Sequence, residues 1–199
     1  MLGVSARRDG VTVSMTLAFV GALQVDRRDA EVGEAELRKR TERVYISRLR
    51  MAIGDPYHLE RFVTAQDADG TYGRALVELR AGRKTGHWMW FVFPQIAGLG
   101  QSETSRRYAI ASRAEAAAFL QHALLGPRLI ECAHILGVSR ALSATEIFGP
   151  VDAKKLRSCM TLFMRAAPGE SLFGSVLERY FAGVPDRNTD RLLRSQGDA

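Results

Sequence analysis

The sequence has few cysteines and no long hydrophobic run. Cys132 and Cys159 are its two cysteines, and both lie in apolar, helix-like surroundings without the spacing of a metal site. We expect them to be reduced, buried side chains, as in cytoplasmic proteins. Because no run of 18 apolar residues occurs, the sequence predicts no membrane-spanning helix. A cytoplasmic location is expected.

The chain also lacks a concentrated block of one charge. Its net charge is +6, but residues 1–54 hold 10 Lys and Arg against 7 Asp and Glu, which leaves 18 against 15 for the rest. This spread favours a solvated, arginine-rich surface, typical of GC-rich bacterial genomes, over a dedicated polyanion groove. No metal or cofactor is expected, because His, Asp and Glu never take ligand spacing and Gly98-x-Gly100 lacks the other residues of a nucleotide-binding loop.

Residues 1–50 differ in character from the rest of the chain. Two arginines precede a mildly apolar stretch, residues 11–25, whose layout is that of a signal peptide, but polar residues interrupt it and disfavour export. Met51 opens the segment Met-Ala-Ile-Gly-Asp-Pro-Tyr, a natural chain start. We expect residues 1–50 to be an extension, either weakly ordered or not translated, and residues 51–199 to form one domain.

Helical patterns predominate from Asp55 onward. Asp55 is expected to cap a helix beginning at Pro56, and Asp152 to cap a later one. Apolar residues at helical spacing, bounded by caps and glycines, predict further helices over residues 72–82, 113–122, 126–137 and 171–183, and from Asn188. The sequence therefore predicts a compact all-α domain of about seven helices.

The most unusual stretch is His-Trp-Met-Trp-Phe-Val-Phe at residues 87–93, which holds both tryptophans, Trp88 and Trp90. It has high β propensity but no strict alternation and no second strand-like run as a partner, so a buried helix or extended segment is predicted. The stretch is either the middle of the core or the wall of a site. His87 is correspondingly either a partly buried structural residue or a general acid or base.

Polar residues replace the aromatic ones after Pro94. Gln95, Ser102 and Arg106 follow, and a Gly-Leu-Gly turn leads into a helix that Ser102 is expected to cap. Amide groups at such a turn bind anions. This signal is weak alone, but the neighbouring rings, amide, hydroxyls and arginine strengthen it. They predict a ligand site that includes Trp88 and Trp90.

A second polar concentration lies at residues 147–163, where Lys155, Ser158 and Thr161 are three apart. These three residues join the predicted ligand site, although inward-facing hydroxyls also need hydrogen-bond partners. Asp152 has two interpretations. It is either an N-cap, whose loss costs about 1 kcal/mol, or a carboxylate facing a cavity and suited to base chemistry. His87 and Asp152 are the candidate catalytic residues.

Five segments together resemble a bacterial family of unknown function numbered 1810: residues 55–63, 87–102, 125–129, 147–163 and 181–189. The resemblance covers about residues 54–193 and implies a compact multihelical fold, a functional start at Met51 and no established activity. Members sometimes carry the label calpastatin, but the calpain inhibitor of that name is a disordered, repetitive polypeptide unlike this chain. The family's pattern overlaps most of the predicted site residues. The family usually has serine at the position of Gly86 and often has serine at the position of Cys159. The absence of both serines from this chain puts a hydroxyl requirement at either position in question.

Three functional hypotheses follow. The first is a pocket for an anionic, ring-containing molecule such as a nucleotide or an ADP-ribose-like metabolite, with hydrolysis or glycosidic cleavage as the plainest chemistry for an enzyme. The second is a non-catalytic module for RNA or a protein, with Arg106, Arg107, Arg113 and Arg157 supplying charge. The third makes the aromatic stretch the core and the polar residues helix caps. The first fails if both tryptophans lie in a dry core.

Overall fold

The computed structural model describes residues 6–8, 11–13 and 54–196, which fall in two compact units, Met1–Gly54 and Asp55–Ala199. In the first unit, strands β1 (Ala6–Arg8) and β2 (Val11–Val13) form an antiparallel pair with Arg7 opposite Thr12. The sequence reasoning missed this short hairpin, although β-branched residues such as those of β2 favour strands. The other expectations for residues 1–50 lie outside the described residues.

The second unit is helical, which confirms the predicted all-α class. Its α-helices in the described residues are α1 (Glu60–Asp67), α2 (Thr71–Arg80), α3 (Met89–Val92), α4 (Glu103–Arg107), α5 (Arg113–Gln121), α6 (Leu125–Val138), α7 (Ala144–Ala166), α8 (Leu172–Phe181) and α9 (Arg187–Ser195). A 3₁₀ turn, Ala68–Gly70, joins α1 to α2. Helices α3 and α4 have 4 and 5 residues. The others are the amphipathic helices that apolar periodicity predicts.

The core of this unit is built around α7, a helix of 23 residues that packs against α5, α8 and α9. The Phe163 ring on α7 lies 5.4 Å from the ring of Phe119 and 5.8 Å from that of Phe173, so aromatic contacts tie α5 and α8 to it. Cys132 and Cys159 are buried and unpaired, as expected. Burial raises the pKa of the Cys132 thiol to about 12. No helix in the described residues is long and apolar enough to cross a membrane.

The first helix begins later than predicted, at Glu60 rather than Pro56. Asp55 does accept hydrogen bonds, from the backbone N–H of Tyr57 over 3.3 Å and of Glu60 over 3.1 Å. His58, however, has a φ of 51°, in the left-handed region that interrupts a helix. Asp55 therefore stabilises a turn that precedes α1.

The predicted N-cap role of Asp152 is wrong. Helix α7 begins at Ala144, where the Ser143 hydroxyl accepts a hydrogen bond from the Glu146 N–H over 3.1 Å. The helix kinks at Gly149, whose φ of 73° and ψ of 169° are not helical. Asp152 lies in the first turn after this kink, inside α7, where a carboxylate is favoured by the helix dipole. Its side chain is bonded to two lysines.

The aromatic stretch forms the short helix α3, in agreement with the prediction of a buried helix or extended segment. Met89, Val92 and Phe93 are fully buried, and the Gln66 side chain donates a hydrogen bond to the Phe91 carbonyl over 2.7 Å. After Pro94, Ile96 forms an isolated parallel bridge with Ile110. This bridge fixes the loop between α3 and α5 against the core.

Candidate functional site

Lys84, Asp152 and Lys155 form a cluster of three charged side chains at the kink of α7. One carboxylate oxygen of Asp152 lies 2.7 Å from Lys84 Nζ and the other lies 2.6 Å from Lys155 Nζ. Less than a fifth of each side chain is exposed, with 9% for Lys84, 16% for Asp152 and 19% for Lys155. We call these three residues the lysine cluster. It contains two positive charges in contact with one negative charge.

The α7 kink and the loop after α2 bring the cluster together. The Lys84 backbone N–H donates to the Ile147 carbonyl over 2.8 Å, which fixes the loop beside the first part of α7. Lys84 Nζ also donates to the Gly86 carbonyl over 2.7 Å. Asp152 and Lys155 are at positions i and i+3 of α7, so their side chains are neighbours on one helix face.

Each lysine of the cluster also faces a tryptophan ring. Lys155 Nζ lies 4.2 Å from the centroid of Trp90, and Lys84 Nζ lies 5.2 Å from that of Trp88. Both distances are within the range of cation–π attraction. The two rings differ in exposure: Trp88 is 1% exposed and packs against Phe93 and Phe148, whereas Trp90 is partly exposed. Trp90 therefore offers aromatic surface beside the cluster, and Trp88 belongs to the core.

The Glu78 carboxylate fixes the turn that carries Lys84. It accepts hydrogen bonds from the backbone N–H of Thr85 over 2.7 Å, from that of Gly86 over 2.9 Å and from Nε1 of Trp88 over 2.8 Å. A Cβ atom at Gly86 would lie 2.8 Å from Cδ1 of Trp88, closer than real contacts allow. Glycine therefore suits this position in this chain.

The electrostatics of the site keep both carboxylates ionised. Burial opposes ionisation of Asp152, but hydrogen bonds from Lys155 and Lys84 and their charges outweigh it and hold its pKa below the ordinary value. For Glu78, burial is likewise outweighed by the hydrogen bonds from Gly86, Thr85 and Trp88, so that its pKa is also lowered. At neutral pH both groups accept hydrogen bonds and carry a negative charge.

Two predicted ligand-binding residues, Ser158 and Thr161, lie in the interface between α7 and α9. The Ser158 hydroxyl lies 2.8 Å from that of Thr189, and both residues are buried. Thr161 donates to the Arg157 carbonyl over 2.8 Å and accepts from the Asp186 N–H over 2.8 Å. These partners satisfy both hydroxyls within the protein, which is what burial requires.

The residues after Pro94 are separate from the cluster in the contacts that the structure describes. Ser102 caps α4 as predicted, since its hydroxyl accepts from the Ser105 N–H over 3.1 Å. That bond occupies an amide of the predicted anion-binding turn. Arg106 is exposed and donates to the Gln101 carbonyl over 2.5 Å. Gln95 is partly buried, and its own carbonyl accepts from the Ile110 N–H over 2.8 Å.

His87 lies at the border of the aromatic stretch with an exposed side chain, while the adjacent Trp88 is buried. The interpretation of His87 as partly buried is therefore wrong, and its proposed acid–base role stays a prediction. Among the described residues no group of three or more His, Cys, Asp or Glu side chains is arranged to hold a metal ion.

Sequence reasoning missed Lys84 and Glu78, which build this site together with the predicted Asp152, Lys155, Trp88 and Trp90. Lys84 lies three residues before the aromatic stretch, so its proximity to that stretch was a local signal. Nothing local reveals that it meets Asp152, because the two residues are far apart in the sequence. Glu78 lies on α2 and has the ordinary appearance of a solvated helix residue.

A groove of about 510 Å³ lies elsewhere in this unit, between the ends of α2 and α6 and the start of α7. Its walls include Leu79, Ile135 and Ala141, with Arg80 and Arg140 among the charged residues. None of the predicted site residues lines it. The groove is thus distinct from the lysine cluster.

Comparisons with known proteins agree with this fold. The family described as protein of unknown function (DUF1810) matches residues 56–193. The crystal structure of the conserved hypothetical protein Rv1873 from Mycobacterium tuberculosis is similar, with 52% sequence identity and a TM-score of 0.68 over 70% of this chain and 99% of that one. A search of curated proteins gave no match. Neither description names an activity, but the family match spans most of the chain. The chain therefore belongs to the DUF1810 family of proteins of unknown function.

Proposed function

We propose that the protein binds an anionic, ring-containing small molecule, such as a nucleotide or an ADP-ribose-like metabolite, at the lysine cluster and Trp90. One observation carries the proposal: two lysines, each less than a fifth exposed, share a single carboxylate beside a partly exposed tryptophan ring. The anion would contact the ammonium groups, and the ring of the ligand would lie against Trp90.

The charge balance supports an anionic ligand. Asp152 neutralises one of the two ammonium groups that it contacts, so one positive charge remains in a poorly solvated place. A positive charge without full solvation is unfavourable, and an anion bound there would offset that penalty. The Glu78 carboxylate reduces the potential at longer range, but its oxygens face the N–H groups of Thr85, Gly86 and Trp88.

The aromatic surface supports a ring in the ligand. Trp90 is partly exposed and already holds a cation 4.2 Å from its centroid. Stacking and cation–π contacts use the same ring face, so the Lys155 ammonium and a planar ligand would compete for it or take opposite faces. In either case ligand binding changes the surroundings of Trp90.

A hydrolytic activity has less support than binding. Asp152 is the candidate base, and its lowered pKa weakens it as a proton acceptor, because a general base works best with a pKa near the operating pH. We keep hydrolysis as a hypothesis to be assayed once a ligand is known. We also propose a cytoplasmic location, since two buried, unpaired thiols are typical of a reducing compartment.

An RNA-binding module is the alternative. Such modules display exposed rings on which bases stack. The large exposed hydrophobic side chains in the described residues are aliphatic: Val77, Val138, Leu142, Val151 and Val184. Arg157, one of the arginines considered for RNA, donates to the Val184 carbonyl over 2.8 Å, so that it holds the loop before α9. These observations favour the small ligand.

The test is a fluorescence titration of the protein with AMP, ADP-ribose and a short single-stranded RNA. We expect a saturable change with a small ligand that Lys155→Gln reduces at least about tenfold in affinity, which is the effect of losing about 1.4 kcal/mol. Lys154→Gln is the matched control, because Lys154 is its exposed neighbour in α7. It changes the net charge equally and should leave the affinity within about twofold.

The outcomes separate the hypotheses. A response to RNA alone that weakens steeply with salt would replace the proposal by the RNA-binding module. An equal loss of affinity in the two lysine variants would assign the effect to general charge. No response to any small ligand, with Trp90 inaccessible to a quencher, would make the aromatic stretch a core element only.

A further inference from the structure

We infer that the ligand group held by Lys84 and Lys155 carries a single negative charge, as a carboxylate or phosphodiester does, and is not a phosphomonoester with two. The inference rests on the proposed function and narrows its ligand class. It depends on Asp152 as a residue that determines specificity, because this carboxylate sets the net charge of the cluster.

The first argument concerns charge. The groups in direct contact are two ammonium ions and one carboxylate, which leaves one positive charge. The desolvation penalty of an ion grows with the square of its charge, whereas its attraction to a fixed charge grows only linearly. In a place where the side chains are less than a fifth exposed, a second ligand charge therefore adds more penalty than attraction.

The second argument concerns hydrogen-bond donors. Each ammonium has three N–H bonds. Lys84 gives one to Asp152 and one to the Gly86 carbonyl over 2.7 Å, and Lys155 gives one to Asp152 and faces the Trp90 ring. Within the described contacts, about two donors remain for a ligand. They suffice for the two oxygens of a carboxylate or diester but not for three terminal phosphate oxygens.

The chemical consequence is a narrower ligand class. Nucleoside mono-, di- and triphosphates end in a terminal phosphate group, as a phosphomonoester or a phosphoanhydride, and this group carries close to two charges at neutral pH. A molecule with internal diester-like phosphates, such as ADP-ribose, presents one charge on each phosphate. A planar aromatic carboxylate presents one charge and a ring. The lysine cluster therefore fits internal diester-like phosphates and planar aromatic carboxylates, and it disfavours terminal phosphates.

The experiment compares two probes that differ by one charge: AMP and the methyl phosphodiester of AMP, titrated at pH 7.5 by tryptophan fluorescence. We expect the diester to bind at least about tenfold more tightly to the wild-type protein. Asp152→Asn removes the carboxylate charge with little change of shape, so we expect it to reduce that preference to about threefold or less. Asp190→Asn is the control. It breaks another ion pair of α7, with Arg165 at 2.9 Å, and should keep the wild-type preference.

Each result decides the inference. Equal or tighter binding of AMP by the wild-type protein, abolished by Lys155→Gln, would overturn the single-charge inference and leave the proposed function standing. Binding of neither probe nor of ADP-ribose would overturn both. A preference that survives unchanged in folded Asp152→Asn protein would remove Asp152 from the determination of specificity. If thermal unfolding shows that this variant does not fold, the preference of the wild-type protein for the diester over AMP alone decides the single-charge inference.

Discussion

Trp88 donates its indole N–H to the Glu78 carboxylate over 2.8 Å. The bond joins a buried ring of the core to a side chain of α2 and, through the same carboxylate, to the backbone N–H groups of Thr85 and Gly86. The turn that presents Lys84 to Asp152 is therefore held by one ionised side chain. The lysine cluster depends on this anchor as well as on the kink of α7.

Replacing Glu78 by glutamine should destabilise the protein. A glutamine amide accepts through one oxygen only, and its NH₂ group opposes the N–H groups of the turn, so we expect the free energy of unfolding to fall by about 1–3 kcal/mol. Urea unfolding measures the change. Glu178→Gln is the control, since this glutamate is exposed on α8, and it should stay within about 0.5 kcal/mol of wild type. Equal stabilities of the two variants would contradict the anchoring role.

The stability of the protein should decrease at acid pH. The folded-state pKa values of Asp152 and Glu78 lie below their ordinary values of 3.8 and 4.5. A carboxyl with a depressed folded pKa contributes stability that is fully present above the unfolded pKa and is lost as pH falls through the folded one. Urea unfolding between pH 6 and pH 3 should show a decline that begins near these ordinary values. Asp152→Asn and Glu78→Gln should each make this decline in stability shallower. A decline as steep as in wild type in both variants would contradict the lowered pKa values of the two carboxyls.

Replacing Gly86 by alanine should destabilise the protein. The Cβ of Gly86→Ala would lie 2.8 Å from Cδ1 of Trp88 and 3.0 Å from Oε1 of Glu78, so the turn must shift, and we expect a loss of about 1–3 kcal/mol. Gly137→Ala is the matched control in α6, where no heavy atom lies within 4 Å of an added Cβ. It should stabilise the helix by up to about 1 kcal/mol. Thermal unfolding of both variants would reveal the opposite signs, and two losses of similar size would refute the steric argument.

Thr161 should matter for stability and not for ligand binding. Thr161→Val keeps the shape but leaves the Asp186 N–H without its hydroxyl acceptor at 2.8 Å, so we expect a loss of about 1–3 kcal/mol. Thr145→Val, at an exposed position of α7, serves as the control. A calorimetric titration should give the same ligand affinity for wild type and both variants. A tenfold weaker affinity in Thr161→Val would return this residue to the ligand site.

Local signals predicted much of the fold. Ser102 caps α4 as predicted, because a cap is a contact between residues close in sequence. The apolar periodicity predicted α8 over residues 171–183, and the helix spans Leu172–Phe181. The same local logic failed for Asp152, since the chain already enters α7 at Ala144 and the glycine kink lies within the helix.

The candidate site was only partly predictable, because its contacts join distant segments. Asp152 and Lys155 were identified from one helix, but Lys84 reaches them from the loop after α2. His122 shows the same limit: no local pattern marks it as a core residue, yet it is buried and its Nδ1 accepts from the Leu124 N–H over 3.1 Å. Polar residues near an aromatic stretch indicate a site, while tertiary packing decides which of them meet.

The most direct test of the central claim is the indole N–H spectrum of the protein, in which the two tryptophans give two signals that Trp90→Phe assigns. On titration with ADP-ribose we expect the Trp90 signal to shift saturably, while the Trp88 signal, held by Glu78, moves little. Lys155→Gln should abolish the shift and Lys154→Gln should not. Two signals that stay fixed at saturating ADP-ribose, or a Trp90 shift that persists in Lys155→Gln, would contradict a ligand site at the lysine cluster.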